Sequence, residues 1–342
     1  MIDINHIRVT LENKILRSNE TIILPHTIAD FDAIGSALGL SLVAREFHKD
    51  SKIIVDDKKY DLDKQIKFII DENRARYDII NSARYRKIVS PDNLYVLTDN
   101  NKIDRITIGD LITNPENTFI IDHHEPDKKN TIKSKYKYID IDVSSASEVV
   151  AKVLLDMGVT IPTNIANYLL AGIYLDTDSL TKGEISDETF KTASDLVKAG
   201  AKTSDVVAML QEDEESLQRI ENLSKKTIMI TYKIALSIAE EKEEYTKKEL
   251  AKIANRGITK GANVSFAMGR LANNVIGISA RSNRTIHVGK IMKNFKKGGG
   301  SRVSAAATVE GESFDEVANK LDKYIRPKYY VKERKEVKKE EK

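Results

Sequence analysis

The chain has no cysteine in its 342 residues. That excludes disulfide staples, thiolate zinc sites and cysteine nucleophiles, and it fits a reducing cytoplasm as the expected location. No run of about 18 apolar residues occurs, so no membrane-spanning helix is expected. Met1 to His6 have neither the basic flank nor the apolar core of a secretory leader. A strong charge of one sign is also missing. The net charge is +3, and the segment from Lys332 to Lys342, with six Lys or Arg against four Glu, supplies +2 of it. The near-neutral remainder argues against long nucleic acid as a partner, since such binding is driven by backbone neutralisation. The Gly-x-x-x-x-Gly-Lys phosphate loop is absent, and with it the usual device for ATP-driven work. What is present, 41% apolar and 31% charged residues, is the composition of a soluble globular protein long enough for two domains.

Apolar, β-branched runs that read as buried strands alternate with helical spacing through the first half. The expected strands are Thr21–Leu24, Lys52–Val55, Leu94–Thr98, Thr118–Ile121 and Tyr138–Ile141. The expected helices include Ile7–Arg17, Ala33–Phe47, Lys64–Ile70, Ser147–Met157 and Ile165–Leu175. Such alternation predicts an α/β fold with a mostly parallel sheet and crossover helices. From Ser186 to Lys226 the pattern is helical, with Asp187 as the expected N-cap and Gly200 as a stop. A second α/β segment begins with two strands in Thr227–Ala239, a helix over Thr246–Arg256, and two strands in Val264–Ala280 broken near Asn273 and Asn274. It continues with a helix from His287 to Phe295, a glycine loop at Gly298–Ser301, a strand at Ala305–Val309 and a helix over Ser313–Ile325. The expected division is a parallel-sheet domain over 1–185, a helical linker over 186–226, a smaller α/β domain over 227–326 and a disordered charged tail over 327–342.

Four polar sites follow, or sit in, apolar runs. His26, Asp30 and Asp32 come after Thr21–Leu24, and Asp99 comes after Leu94–Thr98. Asp122, His123 and His124 end the run Thr118–Ile121, and Asp176 ends Leu169–Leu175. In an open parallel sheet the carboxyl ends of the strands line one edge, so these distant positions can converge there. One Asp alone is more often a cap or turn residue; the repeated pattern is what carries weight. Carboxylates and imidazoles without thiolate suit manganese, iron, zinc or magnesium, with manganese favoured where carboxylates dominate. The set is large enough for two cations with a bridging ligand. Cations about 3.5–4 Å apart stabilise both the attacking and leaving oxygens of a displacement at phosphorus, so these residues point to phosphoester hydrolysis.

The four sites, in this order, resemble the motifs of the DHH phosphoesterase family, whose signature triplet stands here as Asp122-His123-His124. His26-x-x-x-Asp30-x-Asp32 is similar to the first motif, Asp99 to the second, and Asp176 to the fourth. Ile278–Ser282, and Gly298–Gly300 followed by Ala305–Thr308, resemble the associated DHHA1 substrate domain. Within the family the likeness is greatest to the catalytic portion of the membrane-anchored cyclic-di-AMP phosphodiesterases. Ser144–Glu148, Thr189–Ala193 and Val288–Met292 carry it. Those relatives have transmembrane, sensory and degenerate cyclase segments upstream that this sequence does not show. A free-standing or shortened version is therefore expected.

The resemblance implies two manganese ions, with magnesium, iron or cobalt as substitutes. His26, Asp30 and Asp99 would hold one; Asp32, Asp99, His123 and Asp176 would hold the other, with Asp99 bridging. Asp122 would orient its neighbours, and His124 would contact substrate or protonate the leaving oxygen. Arg281, Ser282, Gly298, Gly299, Gly300 and Ser301 would bind substrate. The implied reaction is hydrolysis of a cyclic dinucleotide, cyclic di-AMP to pApA, by a hydroxide activated between the metals. The implied partner is a small nucleotide, not long nucleic acid or a membrane, and a homodimer is one assembly open to the chain. Two departures bear on this. Asn100 and Ser301 stand where the family usually has histidines. They keep two alternatives in view: an exonuclease for very short oligonucleotides, and a weakly catalytic nucleotide-binding or regulatory protein.

Overall fold

The computed structural model describes residues 3–126, 130–181, 185–231 and 233–325; the tail expected over 327–342 lies outside the described residues. The chain forms two compact units that divide between Gln211 and Glu212.

The first unit contains α1 (Ile4–Arg17), β1 (Thr21–Leu24), α2 (Phe31–Glu46), β2 (Ser51–Ile54), α3 (Lys64–Asn73), β3 (Ile79–Ile80) and α4 (Ser82–Tyr85). It continues with β4 (Leu94–Thr98), β5 (Thr118–Asp122), β6 (Tyr136–Ile139), α5 (Ala146–Asp156), α6 (Thr163–Thr177), α7 (Asp187–Lys198) and α8 (Thr203–Leu210). Its sheet has the order β3-β2-β1-β4-β5-β6, and every neighbouring pair is parallel. The chain steps outward from β1 to β3 and then returns to lay β4 on the other side of β1. The order thus reverses between β1 and β4, where open parallel sheets form a ligand crevice at their carboxyl ends.

Helix α2 is apolar all round and buries fourteen of its sixteen residues, as a helix in the centre of a layer must. Two glycines set its distance from α6. A Cβ on Gly35 would stand 2.5 Å from the Tyr168 carbonyl oxygen, and one on Gly172 would stand 2.9 Å from Asp32 Cα. Both contacts are too short for a side chain, so the two backbones touch. That contact lays the first turn of α2, with Asp32, along the last two turns of α6, which end near Asp176.

Several expectations need correction here. Strand β3 is two residues long and gives no period to read; β6 begins two residues before the expected Tyr138. Ser186, not Asp187, caps α7: its hydroxyl accepts from the Thr189 N–H at 3.2 Å, and Asp187 is the first helical residue. Gly200, at φ +109°, ends that helix as expected. Of the segment expected to link the domains, α7 and α8 pack in the first unit through Leu196, Ala201 and Val206.

The second unit contains α9 (Glu214–Lys225), β7 (Ile228–Thr231), β8 (Ile234–Ile238), α10 (Lys247–Thr259), β9 (Val264–Leu271) and β10 (Val275–Ser282). It ends with α11 (Val288–Met292), β11 (Lys297–Gly300), β12 (Ser304–Val309) and α12 over 314–325. The sheet order is β11-β12-β10-β9-β8-β7, antiparallel except for the β8–β9 pair. Alternation along the strands gives each face its own core. Ile220, Leu223, Leu250 and Ile253 of α9 and α10 cover one face; Ile291, Val317 and Leu321 of α11 and α12 cover the other.

The expected glycine loop is instead the edge strand β11. Gly298, Gly299 and Gly300 pair with Ala307, Ala306 and Ala305. Crowding accounts for the glycines: a Cβ on Gly298 would overlap the Met292 carbonyl, and Gly300 is at φ +136° with Ala305 Cα 2.5 Å from its Cβ position. Among the described residues no helix is long and apolar enough to cross a membrane.

Candidate metal centre

The turns after β1, β4 and β5 and the last turn of α6 bring six side chains together. Asp30 caps α2: its Oδ1 accepts from the N–H groups of Asp32 at 3.0 Å and Ala33 at 3.1 Å. Its other oxygen is left 3.7 Å from His26 Nε2. Asp99 follows β4 in the left-handed region, at φ +55°, which Asp tolerates better than most residues. That turn leaves its carboxylate between two imidazoles, Oδ2 at 3.2 Å from His26 Nε2 and Oδ1 at 3.4 Å from His123 Nε2. His123 Nε2 lies 3.4 Å from Asp176 Oδ2 and 3.8 Å from Asp32 Oδ2. Three overlapping ligand sets result, His26/Asp30/Asp99, Asp32/His123/Asp176 and Asp99/His123/His124, each with donor atoms within 4.8 Å of one another; His124 Nδ1 lies 3.4 Å from Asp99 Oδ1, and Asp99 touches all three sets. Asp176 arrives from α6, in line with the helix expected over Ile165–Leu175, whereas the other clusters follow strands.

These residues fit divalent cations. Asp99 Oδ1, His123 Nε2 and Asp176 Oδ2 are buried and have no hydrogen-bond partner among the described residues. Buried polar atoms without partners are costly, and a cation satisfies all three at once. The titration shifts tell the same story. Burial alone would lower His26, but Asp30 and Asp99 raise it to about 10. Burial likewise opposes the charge on His123, and Asp99, Asp32 and Asp176 raise it to about 10. Burial and the Asp99 charge push Asp32 up to about 7. Burial and the charges of Asp32 and Asp30 push Asp176 well above the usual carboxylate range. Asp99 moves the other way: burial would raise it, but His123 and His26 hold it below that range. Protons gather on the atoms where cations would bind, so binding releases them.

Asp122 is fully buried and belongs to none of these ligand sets. Its Oδ1 accepts from the N–H groups of His123 at 2.8 Å and His124 at 3.2 Å and lies 2.9 Å from His124 Nδ1. It therefore orients the triplet, and His124 is held through Nδ1 with its ring exposed. Asn101 holds Asp122 in turn, donating from Nδ2 to Asp122 Oδ2 at 2.5 Å and to the His124 carbonyl at 3.0 Å. Sequence reasoning missed Asn101, since nothing distinguishes it from its neighbour. Asn100 instead closes its own loop, bonding the Lys102 carbonyl at 3.0 Å and the Lys102 N–H at 3.1 Å.

Of the substrate-binding candidates in the second unit, Arg281 alone offers an uncompensated charge. It is half-buried on β10, donates to Ser279 Oγ at 3.3 Å and the Ala280 carbonyl at 3.0 Å, and has no carboxylate partner among the described residues. Burial pushes its guanidinium pKa down. Ser282, one residue on, belongs to the opposite face, and its hydroxyl accepts from the Ile286 N–H at 3.3 Å. Ser301 Oγ accepts from the Val303 and Ser304 N–H groups at 3.3 and 3.1 Å, closing its own turn.

Residues 20–173 match the DHH family, N-terminal domain, and residues 226–326 match the DHHA1 domain. The chain belongs to the DHH/DHHA1 phosphoesterase family. This DHH protein is 29% identical over 320 residues to the cyclic-di-AMP phosphodiesterase GdpP of Bacillus subtilis, covering 91% of this chain and 48% of GdpP. It is 27% identical over 308 residues to the cyclic-di-AMP phosphodiesterase PdeA of Listeria monocytogenes, covering 87% of this chain and 46% of PdeA. It is 28% identical over 338 residues to a membrane protein-large ribosomal subunit bL9 fusion protein of Onion yellows phytoplasma, covering 95% of this chain and 39% of that protein. The chain therefore spans half or less of the length of these relatives. Among solved structures, an exopolyphosphatase-related protein from Bacteroides fragilis shares the fold, with a TM-score of 0.77 at 22% identity over 94% of this chain and 96% of that one. DHH phosphoesterases are metal-dependent, and the buried donor set meets that requirement.

Proposed function

We propose that this chain is a phosphodiesterase that opens a cyclic dinucleotide, converting cyclic di-AMP to pApA. The observation that carries the reading is the cluster of His26, Asp30, Asp32, Asp99, His123 and Asp176, with three buried donor atoms left unpartnered. The cyclic-di-AMP phosphodiesterases among its relatives support the substrate. His26, Asp30 and Asp99 would hold one manganese ion, and Asp32, Asp99, His123 and Asp176 the other. Such a pair, when bound, makes hydroxide available near neutral pH and offsets charge developing on the phosphoryl oxygens. The chain's own groups do the rest. Asp122 fixes the His124 ring through Nδ1, so that Nε2 can give a proton to the departing 3′ oxygen as its bond to phosphorus breaks. Arg281, with no carboxylate to hold, grips a phosphate through its planar fork. The proposal takes in the division into a catalytic domain over 1–185 and a substrate domain over 227–326, a cytoplasmic site of action and a homodimer.

The test is a manganese-supplemented assay on cyclic di-AMP, linear pApA and short RNA. Consumption of the cyclic substrate with pApA as first product is expected. No turnover of it, beside rapid cleavage of the linear substrates, rejects the reading. One observation favours a second reading. Asn100 and Ser301, in place of the family's histidines, both spend hydrogen bonds on their own turns. Tight binding of cyclic di-AMP without turnover would favour a regulatory protein.

A further inference from the structure

The stretch Ser144–Glu148 has no role in the chemistry above, yet it holds one of the candidate ligands. Asp32 is fully buried, and both its oxygens accept backbone hydrogen bonds from the first turn of α5. Ala146 N–H donates to Oδ2 at 2.9 Å and Ser147 N–H to Oδ1 at 2.6 Å. These are two of the N–H groups that every helix start leaves without an internal partner. The cap residue Ser145 does not take them; its hydroxyl accepts from Glu148 N–H at 3.0 Å. A carboxylate of the candidate metal centre therefore caps a helix more than a hundred residues away in sequence, and its place depends on where that helix begins.

Glu148 fixes that place. Its side chain is 1% exposed, and Oε2 accepts from Ser144 N–H at 3.1 Å, Ser144 Oγ at 2.6 Å and Thr189 Oγ1 at 3.0 Å. Its other oxygen pairs with Lys152 Nζ at 2.5 Å. One carboxylate thus folds the 144–148 turn back on itself and ties it to α7, with the turn's two free N–H groups directed at Asp32. We propose that Glu148 is a positioning residue for the metal centre, acting through the first turn of α5 on Asp32. It does not touch the ligand cluster itself. The proposal rests on Asp32 being a metal ligand.

Manganese affinity of the full chain, followed by electron paramagnetic resonance with the thermal midpoint recorded beside it, separates the two claims. Asp32→Asn should lose one manganese site. Glu148→Ala should weaken that site by about 10- to 100-fold, the usual effect of removing a group that orients a ligand. Glu148→Gln, whose amide oxygen can still accept from Ser144, should recover most of the affinity. Lys152→Met breaks the same ion pair without releasing the Ser144 bonds. It should lower the thermal midpoint and leave manganese affinity within about twofold of wild type. Ser144→Ala, a milder change, covers the case in which Glu148→Ala fails to fold, and should weaken manganese a few-fold. If Asp32→Asn binds manganese as wild type does, the metal-centre reading fails. If Asp32→Asn loses the site while the Glu148 and Ser144 variants keep wild-type affinity, or Lys152→Met loses as much as they do, the positioning role is overturned.

Discussion

Buried carboxylates are treated in opposite ways in the second unit's core and at the candidate metal centre of the first. In the second unit Glu249 is fully buried, and every demand it makes is met. It accepts from Ser216 Oγ at 2.5 Å, Arg219 Nε at 2.9 Å and Thr246 N–H at 2.6 Å. Burial would raise it, but Ser216, Thr246 and Arg219 bring it below the usual range. In the first unit Asp32 is buried and Asp176 half-buried with its Oδ2 enclosed, both lie near other carboxylates, and both are pushed up. Burial alone therefore does not mark a functional site. The mark is a set of buried atoms, Asp99 Oδ1, His123 Nε2 and Asp176 Oδ2, that no donor or acceptor among the described residues fills and a cation can.

That contrast can be broken by mutation. Asp99→Asn should cut hydrolysis by roughly 10³-fold or more, as when one member of a group acting as a unit is removed. Glu249→Gln should lower the thermal midpoint and leave turnover near wild type. Equal losses of turnover in the two variants, measured at saturating manganese, would erase the distinction. Arg281→Ala should raise KM by about tenfold, the loss of one charge-assisted contact, with manganese affinity unchanged.

Next in size are effects on the metal-free protein. Asp176→Asn removes a carboxylate disfavoured by burial and by its neighbours, and should raise the melting temperature in chelator while lowering activity. The pH dependence has a definite sign. His26 and His123 titrate near 10 when folded against an ordinary 6.5, so their contribution is complete below pH 6.5 and fades as pH rises toward 10. Asp32, raised from 3.8 to about 7, acts in the same direction between those values. Melting in chelator should therefore fall from pH 6.5 to 10 more steeply than melting with manganese, where cations have replaced the protons. Parallel curves would contradict this. The smallest effect belongs to the exposed ion pairs of the second unit. Lys226→Ala, which breaks the pair with Glu240, should leave the urea unfolding midpoint indistinguishable from wild type.

The sequence made the ligand candidates legible because each of three clusters follows an apolar run, and a parallel sheet sends such positions to one edge. Asp176 was legible as a residue but not as a place. Leu169–Leu175 lies in the helix expected over Ile165–Leu175, but only the close packing of α6 against α2 brings the end of that helix to the other ligands. The glycine run was misread for the opposite reason. Three glycines suggest a loop, but pairing with the alanines of β12 and the crowding around Gly298 and Gly300 make them a strand. Asn101 and Glu148 were out of reach because their roles consist of hydrogen bonds across the fold, to Asp122 and to Ser144 and Thr189, which no local pattern encodes. Arg281 and Ser282 are adjacent in sequence, and only their opposite faces on β10 separate a guanidinium with no carboxylate partner among the described residues from a hydroxyl engaged by the Ile286 N–H.

The most direct measurement is the manganese stoichiometry of the whole chain, by titration calorimetry with electron paramagnetic resonance of the loaded protein. Two ions per chain with a spin-coupled signal, and loss of that coupling in Asp99→Asn, are predicted. A single uncoupled ion that survives Asp99→Asn, or no binding at all, would contradict a centre shared by His26, Asp30, Asp32, Asp99, His123 and Asp176.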